Sequence, residues 1–217
     1  MTGGTALRIL LLSPLLASCA LFSKPAPPQP IARVEIIEDP VPIDWRSVVT
    51  PADQDRLART EEAWTSGLAA AARFRSAIAA EGPLLDPAAV LPRAAPSPGP
   101  YLCRVVRLGG RPAFAAFKTF NCFIEAEGEL LTMVKANGTQ RPAGRLWPDG
   151  DTRMIFLGGL SAGDAPPPPY GEAAERDIAG QLERVEPFRW RLVVPFPRSG
   201  GATLEVYELV PLIPGAA

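Results

Sequence analysis

The stretch Phe188-Arg189-Trp190-Arg191-Leu192-Val193-Val194 alternates apolar and charged side chains for most of its length. Phe188, Trp190, Leu192 and Val194 share one parity, with Arg189 and Arg191 between them. Successive side chains of a strand point to opposite faces, so this reads as a strand with one apolar face and one charged face. Similar runs lie on both sides of it, at about 101–108, 118–127, 129–136, 139–147, 152–159, 178–186 and 202–210. The turns between them are legible: Gly128 between two glutamates, Asn137-Gly138 and Asp149-Gly150 as tight hairpin signals, and Ser199-Gly200-Gly201 before the last run. About eight short strands joined mostly by tight turns predict an antiparallel up-and-down barrel or strongly curled sheet, with a two-sheet sandwich as the alternative. The exception is 160–177, where Ala165-Pro166-Pro167-Pro168-Pro169-Tyr170 reads as a long mobile loop.

Upstream the period changes. Thr50 reads as a helix cap, Pro51 as the first helical residue, and Asp53 as an acid at the positive end of the dipole. Leu57, Trp64, Leu68, Ala71 and Ile78 then form one apolar stripe, predicting a long helix that ends at Gly82-Pro83. Asp86-Pro87 is expected to start one further turn. The fold class is therefore α+β: a long N-terminal helix packed on a C-terminal antiparallel β-barrel-like or strongly curled sheet. The helical segment spans 44–100 and the β domain 101–217, with a Pro-, Ser- and Gly-rich boundary at 92–100.

The first 18 residues read as a lipoprotein signal peptide. Arg8 is the single charge, the apolar run from Ile9 to Phe22 contains Pro14, and it is too short to span a bilayer, which takes about 20 residues. Leu16-Ala17-Ser18-Cys19 looks like a bacterial lipobox, in which Cys19 is lipidated and becomes the first mature residue. The alternative is an ordinary secretory signal with an accidental Cys. Residues 19–43, with six prolines among Pro25 to Pro42, are expected to form a tether, with Ile36-Ile37 as an alternative edge strand. Ala20 after the Cys favours the outer over the inner membrane, by resemblance to enteric lipoproteins. The expected setting is the cell envelope, lipid-anchored and facing the periplasm.

Two further cysteines remain. A hairpin centred between Pro112 and Ala113 places Cys103 directly opposite Cys122, and the periplasm is oxidising, so a disulfide is expected. No Cys-x-x-Cys or further ligand accompanies them, which weighs against a redox couple or metal pair.

Composition narrows the chemistry. The 217 residues carry 22 basic and 23 acidic side chains, so no basic excess points to nucleic acid. There is no histidine, which removes His-based triads and His-ligated metal or haem. No phosphate loop, Gly-x-Ser-x-Gly or dinucleotide fingerprint occurs. No cofactor and no metal ligand set is expected. Acid pairs exist, such as Asp149 with Asp151 and Glu125 with Glu127, but each reads first as a turn or a solvated edge. Arg141, Arg145 and Arg153 with Trp147 form a candidate binding surface for an anionic envelope component or acidic protein; the alternative is that these arginines pair with local acids such as Asp149, Asp177 or Glu183.

Several stretches resemble one bacterial family: Asp44-Trp45, the helix from Asp53 to Trp64, Tyr101-Leu102-Cys103-Arg104, Gln140-Arg141-Pro142-Ala143-Gly144-Arg145-Leu146-Trp147-Pro148-Asp149, Tyr170-Gly171, Arg176-Asp177 and Trp190-Arg191-Leu192. Together they resemble the family called domain of unknown function 4893, over most of 44–212. The resemblance implies an envelope setting and brings no catalytic residue. A weaker analogy, on strand count alone, is to lipocalins, avidin-like proteins and periplasmic protease inhibitors.

The function expected from all this is a lipid-anchored, non-catalytic binding module. Its partners would be the membrane, through the lipid on Cys19, and an envelope protein, a glycan or a small ligand. The alternatives are a structural or assembly component of an envelope complex, and a carboxylate-based enzyme acting on envelope glycan. A deep apolar barrel interior favours a small ligand; a filled interior favours surface recognition.

Overall fold

Each of the eight predicted runs is a strand in the computed structural model, which describes residues 44–212 except 139, 162 and 164. The expected signal peptide, Cys19 and the tether lie outside the described residues. The strands are β1 (Gly99–Leu108), β2 (Phe114–Ala116), β3 (Phe120–Glu127), β4 (Leu130–Lys135), β5 (Pro142–Pro148), β6 (Arg153–Leu160), β7 (Asp177–Glu186), β8 (Arg189–Pro195) and β9 (Leu204–Pro211). From β3 onward each pairs antiparallel with the next, and β9 pairs with β1 from Leu108↔Leu204 to Tyr101↔Pro211. That last pairing closes the sheet into a barrel. The short β2 pairs with the C-terminal part of β1 while β3 pairs with its N-terminal part, so the two share one position in the wall and the barrel has eight positions. Closure leaves no long exposed edge for another chain to extend.

The cysteines form the expected disulfide, with Cα atoms 6.0 Å apart. They are not directly opposite, however. Cys103 faces Phe120 and Cys122 faces Tyr101. The register has slipped by two because the chain turns away from β1 after β2 and rejoins it at Phe120. A slip of two keeps both side chains on the same face, so the sulfurs meet diagonally inside the barrel.

The single long helix is not formed. The segment is divided into α1 (Pro51–Ala58), α2 (Thr60–Ala70) and α3 (Arg75–Ala80), with 3₁₀ turns at Ala72–Phe74 and Gly82–Leu85. Arg59 and Ala71 leave the helical backbone region, at φ −97°, ψ 19° and φ −90°, ψ 8°. The Thr60 hydroxyl donates to the Leu57 carbonyl, drawing it out of the regular ladder. The deeper reason is geometric. A straight helix over 51–82 would run about 45 Å, tangent to a wall that curves away from it. Broken in two, the segment follows the wall, α1 against β7 and β8 and α2 against β8, β9 and β1. The apolar stripe survives the breaks, since Leu57, Trp64 and Ala71 are buried and Leu68 and Ile78 pack beside them. At Gly67 an added Cβ would stand 3.1 Å from the Leu108 side chain, so α2 sits close enough on the wall that glycine is the residue that fits. The Thr50 cap forms as expected, its hydroxyl accepting from the Asp53 N–H at 3.3 Å. The expected turn from Asp86 forms, the Ala89 N–H donating to the Asp86 carbonyl at 3.0 Å and the Ala88 N–H to its side chain at 3.0 Å, but it does not extend to Leu91, which bridges to Arg184.

Candidate functional site

The barrel interior is filled. Inward side chains of every wall strand, among them Tyr101, Ile124, Met133, Leu146, Phe156, Leu182, Trp190 and Leu209, make one buried cluster. Tyr101 and Trp190 meet edge to face with ring centroids 6.1 Å apart. The boundary segment 92–100 closes one end: Trp190 donates to the Ala94 carbonyl at 2.9 Å and Tyr101 to the Ser97 carbonyl at 2.6 Å. Both interior aromatics thus find a partner for their polar tips. At the other end only about 20 Å³ of open space remains, beside Glu205 and Tyr207. Burial pushes the Tyr207 phenol well above its ordinary range, and Glu205, which accepts from it at 3.2 Å, adds to the effect.

Concave space lies outside the barrel instead. A groove of about 630 Å³ runs between α1–α2 and the outer face of the wall, lined by Trp45, Leu57, Thr60, Glu61, Trp64, Asp149, Arg153, Ile155, Gln181 and Glu183 among others. Two of its three acids are engaged. Asp149 accepts from the Trp45 indole at 3.0 Å, from Arg153 Nε at 2.8 Å and from Arg46 at 3.3 Å. Burial opposes its charge, but these donors outweigh burial and hold its carboxyl below the usual range. Glu183 accepts from Arg191 at 2.8 Å. Arg191 is wholly buried and also donates to the carbonyls of Pro83, Leu84, Asp86 and Pro87, at 2.6–3.3 Å, while its guanidinium lies 5.0 Å from the Trp64 ring. One side chain therefore fixes both the groove acid and the segment that follows α3. Gln181 donates to the Leu57 carbonyl at 3.2 Å and ties the floor to α1.

A second space of about 610 Å³ lies over β3–β6 and is bounded by Pro167, Pro168, Pro169 and Tyr170. The described residues of the proline loop are tied down. Tyr170 donates to Asp53 at 2.8 Å and accepts from the Thr50 N–H at 3.0 Å; a Cβ on Gly159 would stand 2.2 Å from the Pro168 carbonyl oxygen. Asp53, fully buried at the start of α1, is also held by Arg56 and by Arg198, the latter at 2.8 Å. Burial raises the Tyr170 phenol to about 12, with Asp53 adding to the shift.

Of the four residues read from sequence as one surface, Arg145 and Trp147 line the same space over β3–β6, while Arg141 and Arg153 lie apart from it. Arg145 forms a two-pronged exposed pair with Glu127, at 2.9 and 2.6 Å. Arg153 pairs with Asp149 at 2.7 Å and lines the groove. Trp147 is buried beneath the chain around Trp45 and Tyr170, with an indole N–H that has no partner. Arg141 lies at the open end of the barrel, donating to the Gly138 and Ala165 carbonyls. Arg145 and Trp147, two apart on β5, share its outer face, whereas Arg153 on β6 turns to Asp149 and Arg141 precedes β5 at the barrel mouth. Trp45, Trp64, Gln181 and Glu183, which line the groove, carried no sequence signal beyond the start of the domain and an apolar stripe. Among the described residues no group of three or more acids and cysteines stands ready for a metal, and no helix is long and apolar enough to cross a membrane.

Comparison with known proteins adds one match. A family model described as Domain of unknown function (DUF4893) covers residues 45–209, which contain the whole helical layer and nearly all of the barrel. No curated protein and no solved structure matches the chain.

Proposed function

From the premise that the chain belongs to the DUF4893 family, which brings no activity to carry over, we propose that it is a bacterial envelope lipoprotein that works as a non-catalytic binding module through its outer surface. A lipid on Cys19 holds it to the membrane, Ala20 after it favouring the outer over the inner one, and 19–43 tethers the domain on its periplasmic side. The observation that carries the binding reading is the filled barrel, which directs a ligand to the outer surface, where we assign it to the roughly 630 Å³ groove between α1–α2 and the wall rather than to the space over β3–β6. Two indoles, three carboxylates, a guanidinium and two amides suit a polyhydroxylated ligand of the envelope-glycan kind. A binding rather than hydrolytic role is favoured because two of the three groove acids, Asp149 and Glu183, are held in ion pairs, which leaves Glu61 without a second free carboxyl beside it. Glycan hydrolysis requires one free acid and one free base.

The test has two arms. Cys19→Ser is expected to move the protein from membranes to the soluble fraction; membrane retention of the cleaved product would refute lipid anchoring. Thr65→Trp, at an exposed groove position, fills the groove without touching the core and is expected to abolish retention on purified envelope glycan. Equal retention by a folded Thr65→Trp protein rules the groove out.

A second reading, a component of an envelope complex, is supported by the wall that the helices leave bare. There Leu102, Phe123, Val210 and Leu212 are exposed at 39, 37, 37 and 42%. One abundant partner crosslinked in cells, lost in Phe123→Asp, would favour it.

A further inference from the structure

The open end of the barrel carries a surplus of positive charge that the proposed groove does not use. Arg107 at the end of β1, Lys135 at the end of β4 and Arg141 before β5 converge on the β4–β5 turn. Arg107 donates to Gln140 at 3.2 Å, and Arg141 to the Gly138 carbonyl at 3.1 Å. A Cβ on Gly138 would stand 3.4 Å from Lys135 Nζ, so Lys135 and Arg141 bracket the same turn. The Lys135 ammonium also lies 4.2 Å from the Phe120 ring centroid. Among the described residues the one carboxylate paired in this group is Glu205, which accepts from Arg107 at 2.6 Å; Lys135 and Arg141 have no ion-pair partner there. Three cations against one anion leave a surplus of two.

Burial, together with the charges of Arg107 and Arg141, holds the Lys135 ammonium below its usual range against the pull of Glu205. Lys135 therefore feels the repulsion of both Arg107 and Arg141 in a partly desolvated place. Such a cluster disfavours its own folding unless an anion joins it. The Lys135 ammonium and the guanidinium N–H groups not engaged by Glu205, Gln140, Gly138 and Ala165 can donate to the oxygens of a phosphate, and a phosphate dianion matches the surplus.

We propose that the barrel mouth between Arg107, Lys135 and Arg141 binds a phosphate group, carried either by a free solute or by a lipid headgroup. The site is separate from the groove and stands or falls without it.

The test uses the full chain in neutral detergent at low salt. Inorganic phosphate is titrated calorimetrically, and vesicles of phosphatidylcholine with or without phosphatidylglycerol are co-sedimented. Phosphate binding is expected, weakened about tenfold or more in Lys135→Gln and in Arg141→Gln, the scale of one charge-assisted contact. It is expected to be unchanged in Arg59→Gln, whose side chain pairs with Glu62 on exposed helix surface. Sedimentation with phosphatidylglycerol vesicles that is lost in the same two variants assigns the phosphate to a headgroup. Phosphate binding without such sedimentation assigns it to a free solute. Absence of phosphate binding by the parent, or binding indifferent to Lys135→Gln and Arg141→Gln, overturns the proposal.

Discussion

Arg191→Met is the most informative single perturbation of the fold. Met keeps an unbranched apolar stem of similar reach, so packing beside Trp64 is largely retained while the guanidinium is lost. That group is wholly buried, pairs with Glu183 and binds four carbonyls between Pro83 and Pro87. Removing one partner of a buried ion pair costs about 3–5 kcal/mol, chiefly because the other charge is stranded. Here Glu183 keeps 14% of its side-chain exposure on the groove, which places its share near the lower end. The orphaned carbonyls raise the total again, giving about 3–4 kcal/mol. For a domain of this size each kcal/mol moves Tm by about 2–4 °C, so a fall of about 6–16 °C is expected. Thermal unfolding followed by far-UV circular dichroism measures it. Glu183→Gln alone should cost less, and the double variant should show about 1–3 kcal/mol of coupling. An Arg191→Met protein melting within about 3 °C of the parent would refute the view that this side chain anchors the segment after α3.

Three other expectations follow from the same geometry. Reducing the Cys103–Cys122 bridge, or replacing both with Ala, should lower stability by about 3 kcal/mol, the loop-closure value for a separation of 19 residues; identical urea midpoints with and without reductant would contradict it. Gly158→Ala places a Cβ 2.3 Å from the Ala143 carbonyl oxygen and 2.7 Å from Gly144 Cα, backbone that cannot yield without opening the β5–β6 pairing. Expression of a folded, equally stable Gly158→Ala protein would count against the close approach of β5 and β6. Tyr101, Tyr170 and Tyr207 are each raised by burial, Tyr170 to about 12. A phenol raised in the folded state favours folding below its ordinary value near 10, and that contribution is lost as pH climbs toward the folded value. Absorbance at 295 nm should therefore show little tyrosinate at pH 10 in folded protein, with stability falling between about pH 10 and 12; half-ionisation near pH 10 without unfolding would show the rings to be exposed.

The sequence alone determined eight of the nine strands, the short β2 excepted, with their turns and the disulfide partners. Alternation, Asn-Gly and Asp-Gly turns and the Thr50-Pro51-Ala52-Asp53 cap are local signals, set by backbone geometry over a few residues. Family membership was equally legible in motifs spread along the chain. Closure, helix breaks and the candidate site were not, because they depend on residues far apart in sequence. Arg191 makes the point. Its alternation with Trp190 and Leu192 correctly marks the face opposite the barrel core, and such a face in isolation meets solvent. The helices bury that face, so the charge is turned into an internal anchor by carbonyls about 105 residues away. Arg141 and Arg153 fall away from Arg145 and Trp147 for the same reason. Spacing along a strand says which face a side chain takes, and only the curvature of the closed sheet decides what that face meets: Glu127 for Arg145, Asp149 for Arg153, and the mouth cations for Arg141.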